Sequence, residues 1–66
     1  MQRFEYLMVA HVNYRAIIVG ERTYEQEDGA HIADVANELG NEGWEMVNAQ
    51  YSRADGGYVG DLWFRR

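Results

Sequence analysis

Over residues 4–12 the side chains alternate with a period of two: Phe4, Tyr6, Met8, Ala10 and Val12 take one parity and Glu5, Leu7, Val9 and His11 the other. Alternation rich in aromatic and β-branched residues predicts a β-strand. A second apolar run, Arg15-Ala16-Ile17-Ile18-Val19, stops at Gly20. It predicts a second strand paired through a turn near Asn13, or a continuation of the first strand beyond a bulge. Residues 21–29 are polar, contain the acidic run Glu25-Gln26-Glu27-Asp28, and read as a loop. The period then changes. Ile32, Val35, Ala36 and Leu39 fall at i, i+3, i+4 and i+7, the apolar stripe of a helix. Asp28 stands where a short acceptor side chain caps the helix start. Gly43 stands past its end, where a left-handed residue needs no Cβ. Gly40 costs about 1 kcal/mol inside a helix, and close approach to the sheet is its expected benefit. Residues 44–51 and 58–65 read as two further strands joined by the turn Ala54-Asp55-Gly56-Gly57. The predicted fold is α+β, a single domain over residues 1–66. One helix lies on a three- or four-stranded antiparallel sheet, in the order strand, optional strand, helix, strand, strand.

Sorting the strands by parity yields two apolar faces. One collects Phe4, Tyr6, Met8, Ala10, Trp44, Met46, Tyr58, Leu62 and Phe64, and is expected under the helix. The other collects Leu7, Val9, Val47, Ala49, Tyr51, Val59 and Trp63, interspersed with Glu5, His11, Glu45, Asp61 and Arg65. One helix cannot cover both. Left in water, the second face would expose several hundred Å² of apolar surface, more than a monomer usually shows. Self-association, face to face or edge to edge, is therefore expected through Leu7, Val9, Val47, Ala49, Tyr51, Val59 and Trp63. Small size points the same way. At 66 residues only roughly 60% of the unfolded surface can be buried, and with no Cys disulfides cannot reinforce the core.

Charge narrows the partners. Eleven acids face six bases, all of them Arg, for a net charge of −5. Such a chain repels phosphate backbones at long range, which argues against binding nucleic acid. No stretch approaches the ~20 apolar residues of a membrane span, and the N-terminal residues lack the apolar run of a secretory signal. A cytoplasmic location without membrane contact is expected. Catalytic and metal chemistry find little support. His11 and His31 are far apart and in no ligand spacing, and they read as polar surface residues. Ser52 and Thr23 lie in no nucleophile context. The Asp55-Gly56-Gly57 glycines are explained by a turn rather than by a phosphate loop. No enzyme activity, cofactor or metal is expected.

The segment Asn37-Glu38-Leu39-Gly40-Asn41-Glu42-Gly43-Trp44-Glu45-Met46-Val47 resembles the hallmark of the domain of unknown function 4177 family. These are short bacterial and phage proteins in which a helix ends in a glycine turn and passes into a Trp-led strand. Phe4-Glu5-Tyr6-Leu7-Met8-Val9 and Leu62-Trp63-Phe64-Arg65-Arg66 look like the ends of that family, whereas residues 13–29 depart from it. The resemblance implies the fold and carries no activity. A homo-oligomerising interaction or structural module is the expected function, with a homo-oligomer or another protein as partner. The alternative is a small-ligand binder holding a nucleotide or other anion at a subunit seam. Stacking on Tyr51 and Trp63 would combine there with bidentate grips from Arg53, Arg65 and Arg66.

Overall fold

The computed structural model describes residues 3–66; the first two residues of the N-terminal segment read above lie outside it. Strands β1 (Tyr6–Val12), β2 (Arg15–Val19) and β3 (Arg22–Thr23) are followed by a 3-10 turn (Gln26–Asp28) and helix α1 (Ile32–Asn41). Strands β4 (Glu45–Ala54) and β5 (Gly57–Arg65) complete the chain. All five strands form one antiparallel sheet in the order β3-β2-β1-β5-β4. The α+β class is as expected, but the described residues form five strands rather than three or four. Residues 15–19 form a separate strand. The segment expected as a loop supplies β3, which pairs Thr23 with Ile18 and Arg22 with Val19. Tight connections make this meander possible. Asn13 (φ 50°) and Tyr14 (φ 67°) take the two left-handed positions of a hairpin turn, and Gly20 (φ 61°) opens the next.

The helix begins later than Asp28 suggests. Asp28 lies in the 3-10 turn, its N–H donating to the Glu25 carbonyl at 2.9 Å. Residues 29–31 stay extended because they dock on β2. The Ala16 N–H donates to the Ala30 carbonyl (2.9 Å), the Ile32 N–H donates to the Tyr14 carbonyl (2.8 Å), and a Cβ at Gly29 would strike the Ala16 carbonyl. His31 becomes the cap, its Nδ1 accepting from the Ala33 N–H at 3.1 Å. The far end matches expectation. Gly43 has φ 91°, and its N–H donates to the Gly40 carbonyl at 3.0 Å. The Trp44 N–H donates to the Leu39 carbonyl at 2.9 Å, the paired bonds of a Schellman ending. Gly40 does not approach the sheet: a Cβ there would meet nothing within 4 Å.

Val9, Ala16, Leu62 and Phe64 from the sheet meet Ile32, Val35 and Leu39 from the helix, flanked by Leu7, Val19, Ala36 and Trp44. This corrects the face assignment of β1. Leu7 opposes Phe64 and Val9 opposes Leu62, so Leu7 and Val9 are helix-side residues, and Tyr6, Met8 and Ala10 lie on the open side. Both parities of β1 are apolar, so its register with β5 decides between them. In β4 a bulge at Val47, between Met46 and Asn48, shifts the parity and puts Ala49 and Tyr51 on the helix side as well. The helix is about 15 Å long at 1.5 Å per residue, whereas β4 spans about 33 Å. Every residue of β4 is exposed. Among the described residues no helix is long and apolar enough to cross a membrane.

Candidate functional site

The most open part of the molecule is the edge made by β4. Alternation in an antiparallel ladder turns successive residues toward and away from a neighbouring strand. The Asn13 N–H donates to the Tyr58 carbonyl at 2.7 Å, and the Tyr58 N–H donates to Asn13 Oδ1 at 2.9 Å. Tyr58, Gly60 and Leu62 therefore face β1. Their cross-strand partners Arg53, Tyr51 and Ala49 present backbone N–H and C=O groups outward, to no strand. Asn48 Oδ1 accepts from the Ala49 N–H at 3.0 Å. The opposite edge, β3, has only two residues. Long free edges template pairing with another chain, and proteins blunt them with Pro, charges or bulges; β4 contains no Pro or Lys, and its bulge at Val47 leaves Asn48–Ala54 as a regular edge.

The open sheet face carries Tyr6, Met8, Ala10, Ile18, Val59 and Trp63, with Trp63 38% exposed and Tyr6 63%. Asn48, Gln50 and Ser52 of β4 form its polar border, since they oppose Trp63, Asp61 and Val59. Asp61 Oδ1 is buried there with no hydrogen-bond partner.

On the helix side, Ala16, His11, Gly60 and Tyr51 form one row across β2, β1, β5 and β4. His11 is 1% exposed, and neither ring nitrogen has a hydrogen-bond partner. Gly60 makes the room: a Cβ there would lie 2.9 Å from His11 Nε2. Tyr51 closes the row from β4, its ring centroid 5.2 Å from that of His11. Tyr14 lies near-parallel to His11 at 6.1 Å and to His31 at 6.2 Å, with Tyr58 at 5.9 Å. Burial pushes the His11 pKa below its ordinary value because a charged imidazolium loses its hydration, and the Asp61 carboxylate partly opposes this. His11 was expected as a surface residue. It shares the parity of Leu7 and Val9, and that shared parity was the available signal.

Of the residues expected at an interface, Val59 and Trp63 lie on the open face, Ala49 and Tyr51 on β4's helix side, and Val47 in the bulge, whereas Leu7 and Val9 belong to the core. The expected ligand-binding set does not converge within one protomer. Tyr51 and Trp63 occupy opposite faces of the sheet. Arg53 opposes Tyr58 near the hairpin turn, about 23 Å of strand from Arg65. Arg65 Nε lies 3.7 Å from Glu45 Oε2, and its guanidinium covers the Phe4 ring at 4.8 Å. Arg66 Nε lies 3.6 Å from Glu5 Oε1, and its guanidinium covers the Trp44 ring at 4.4 Å. Among the described residues no group of three or more His, Cys, Asp or Glu could hold a metal ion. A cavity of about 150 Å³ lies between β2, the 3-10 turn and α1, with Val19, Tyr24, Asp28, Val35 and Glu38 among its lining residues. No family model matches the chain, and no curated protein or solved structure matches it.

Proposed function

We propose that this chain is a small, non-catalytic interaction module that assembles with a second copy of itself by antiparallel pairing of β4 across a two-fold axis. The observation that carries the reading is the ten-residue β4 edge, exposed throughout and regular beyond the bulge at Val47. Strand addition draws its affinity from main-chain hydrogen bonds, which Tyr51, Arg53 and the Ala49 carbonyl offer outward, while the Ala49 N–H is held by Asn48 Oδ1. The strand is also self-complementary. Centred on Gln50, the pairing sets Tyr51 of one copy beside Ala49 of the other, a large residue against a small one. On the open face it sets Ser52 beside Asn48 and amide beside amide at Gln50. A two-fold contact requires such matching of a surface to itself. Association would offset the thin core of so short a chain.

The test is solution mass by light scattering behind a sizing column. Wild type is expected at about twice its 7.7 kDa. Tyr51→Pro removes an outward donor without removing a β4–β5 hydrogen bond, and is expected as a monomer with its β-sheet spectrum intact. Trp63→Glu, on the open face, is expected to remain associated. A monomeric wild type refutes the reading. Dissociation by Trp63→Glu but not by Tyr51→Pro moves the contact to the open face and refutes edge pairing.

A further inference from the structure

We infer that His11 makes the outer half of the β4–β5 hairpin, and through it the β4 edge, sensitive to pH in the range just below neutrality. The part that concerns association rests on the edge pairing proposed above; the part that concerns the fold does not.

His11 occupies a place usually filled by an aliphatic side chain, at the same parity as the core residues Leu7 and Val9. Its two nitrogens are sealed from water and accept or donate nothing. A neutral imidazole tolerates this at the cost of an unmade hydrogen bond. An imidazolium carries two N–H donors and a charge, neither of which the row Ala16–His11–Gly60–Tyr51 can satisfy.

No group packed around the ring offers it a hydrogen bond. The β1–β2 turn contributes the Tyr14 phenol, and β2 contributes Ala16, while Arg15 is directed to the Gly29 carbonyl at 3.0 Å. The helix start contributes His31, beyond Tyr14. From β4 comes Tyr51, and from β5 comes Asp61, the neighbour of Gly60. Asp61 is the one anion near enough to favour the charged ring, yet it has no hydrogen bond to it. Tyr58 lies against Tyr14 rather than His11. Relief therefore has to come from water, and the ring packed most closely on His11 is Tyr51, at 5.2 Å beside Gly60, with Tyr14 stacked at 6.1 Å. A protonated His11 displaces Tyr51, and with it the β4 residues that carry the outward-facing hydrogen-bonding groups.

The sign follows from linkage. The native state holds His11 neutral below its ordinary pKa, whereas the unfolded or opened state takes up a proton near pH 6.5. The less-folded state then binds more protons. The stability conferred by neutral His11 is complete above about pH 6.5 and is lost as the pH falls toward the native pKa.

Two histidines make the measurement tractable. Ring proton signals of His11 and His31, distinguished with a His31→Asn variant, are followed by NMR from pH 8 to pH 5. Thermal melts and light scattering are recorded at pH 7.5 and pH 5.5 for wild type and His11→Phe. His11 is expected to titrate below about 6.5, with the Tyr51 ring signals moving at the same midpoint. The wild-type melting midpoint is expected to fall by about 5 °C or more, with His11→Phe losing much less and wild-type dimer dissociating at the lower pH. A His11 titration at or above about 6.5, or Tyr51 signals indifferent to it, overturns the inference without use of any variant. An equal fall for His11→Phe overturns it too. If wild type is already monomeric at pH 7.5, the edge reading fails by itself, and ring titration and melts still decide the role of His11.

Discussion

Gly40→Ala offers a test of the helix that depends on no partner. Gly40 has ordinary helical backbone, since it is not among the glycines with positive φ, and a Cβ there enters open space. The substitution removes unfolded-state freedom and adds no clash, so it stabilises by about 0.5–1 kcal/mol. For 66 residues, an unfolding entropy of about 2.1 cal/mol/K per residue sums to about 140 cal/mol/K. The melting midpoint should therefore rise by about 4–7 °C, read by circular dichroism at 222 nm. Gly29→Ala is the opposing control. Its Cβ would strike the Ala16 carbonyl, so its midpoint should fall, with the extended docking of residues 29–31 on β2 disrupted. A Gly40→Ala midpoint that stays put or drops refutes the reasoning, because residue 40 would then not face open solvent.

Two further outcomes follow from the sheet. Leu62→Ala empties the middle of the core, at a cost of about 2–5 kcal/mol against a total stability of about 3–10 kcal/mol for a chain this long. Urea titration at 25 °C should find its midpoint well below that of wild type, and a midpoint close to wild type would contradict the packing described. Asn13→Ala removes the polar side chain that lets Asn adopt φ 50° and deletes the acceptor for the Tyr58 N–H. It should cost about 1–2 kcal/mol, with Asn13→Gly recovering part, and equal losses in the two variants would count against the left-handed turn.

What could be read in advance was what nearby residues decide. The stripe Ile32, Val35, Ala36 and Leu39 needs only helical spacing, and the reversal at Gly43 into Trp44 needs only a missing Cβ. Both are found in the structure. What escaped depends on contacts far along the chain. The parity of β1 is ambiguous because Tyr6 and Met8 are as apolar as Leu7 and Val9. Only the pairing with residues 62 and 64 settles which pair is buried. The helix start moved from Asp28 to His31 because residues 29–31 bond to β2, a contact that no capping rule foresees. The bulge at Val47 inverted every side chain after it, carrying Ala49 and Tyr51 to the other face. His11 was misjudged for the related reason that a histidine among exposed neighbours and one set over a glycine look alike in one dimension. Gly60 is meaningful only once it is seen to lie between His11 and Tyr51.

The strand order also has a kinetic consequence. β1–β2, β2–β3 and β4–β5 are joined by two-residue turns, so each can close within microseconds as an independent hairpin. The remaining ladder, β1 against β5, joins Tyr6 to Arg65 across nearly the whole chain, and it runs through the centre of the sheet. Closing so long a loop carries most of the entropic barrier. The folding rate should thus be governed by how often a preformed meander and a preformed hairpin collide in register. Until they do, the edge of β1 that will receive β5 and both edges of the β4–β5 hairpin stand unpaired at once, which makes the half-assembled chain the state most prone to joining the wrong neighbour.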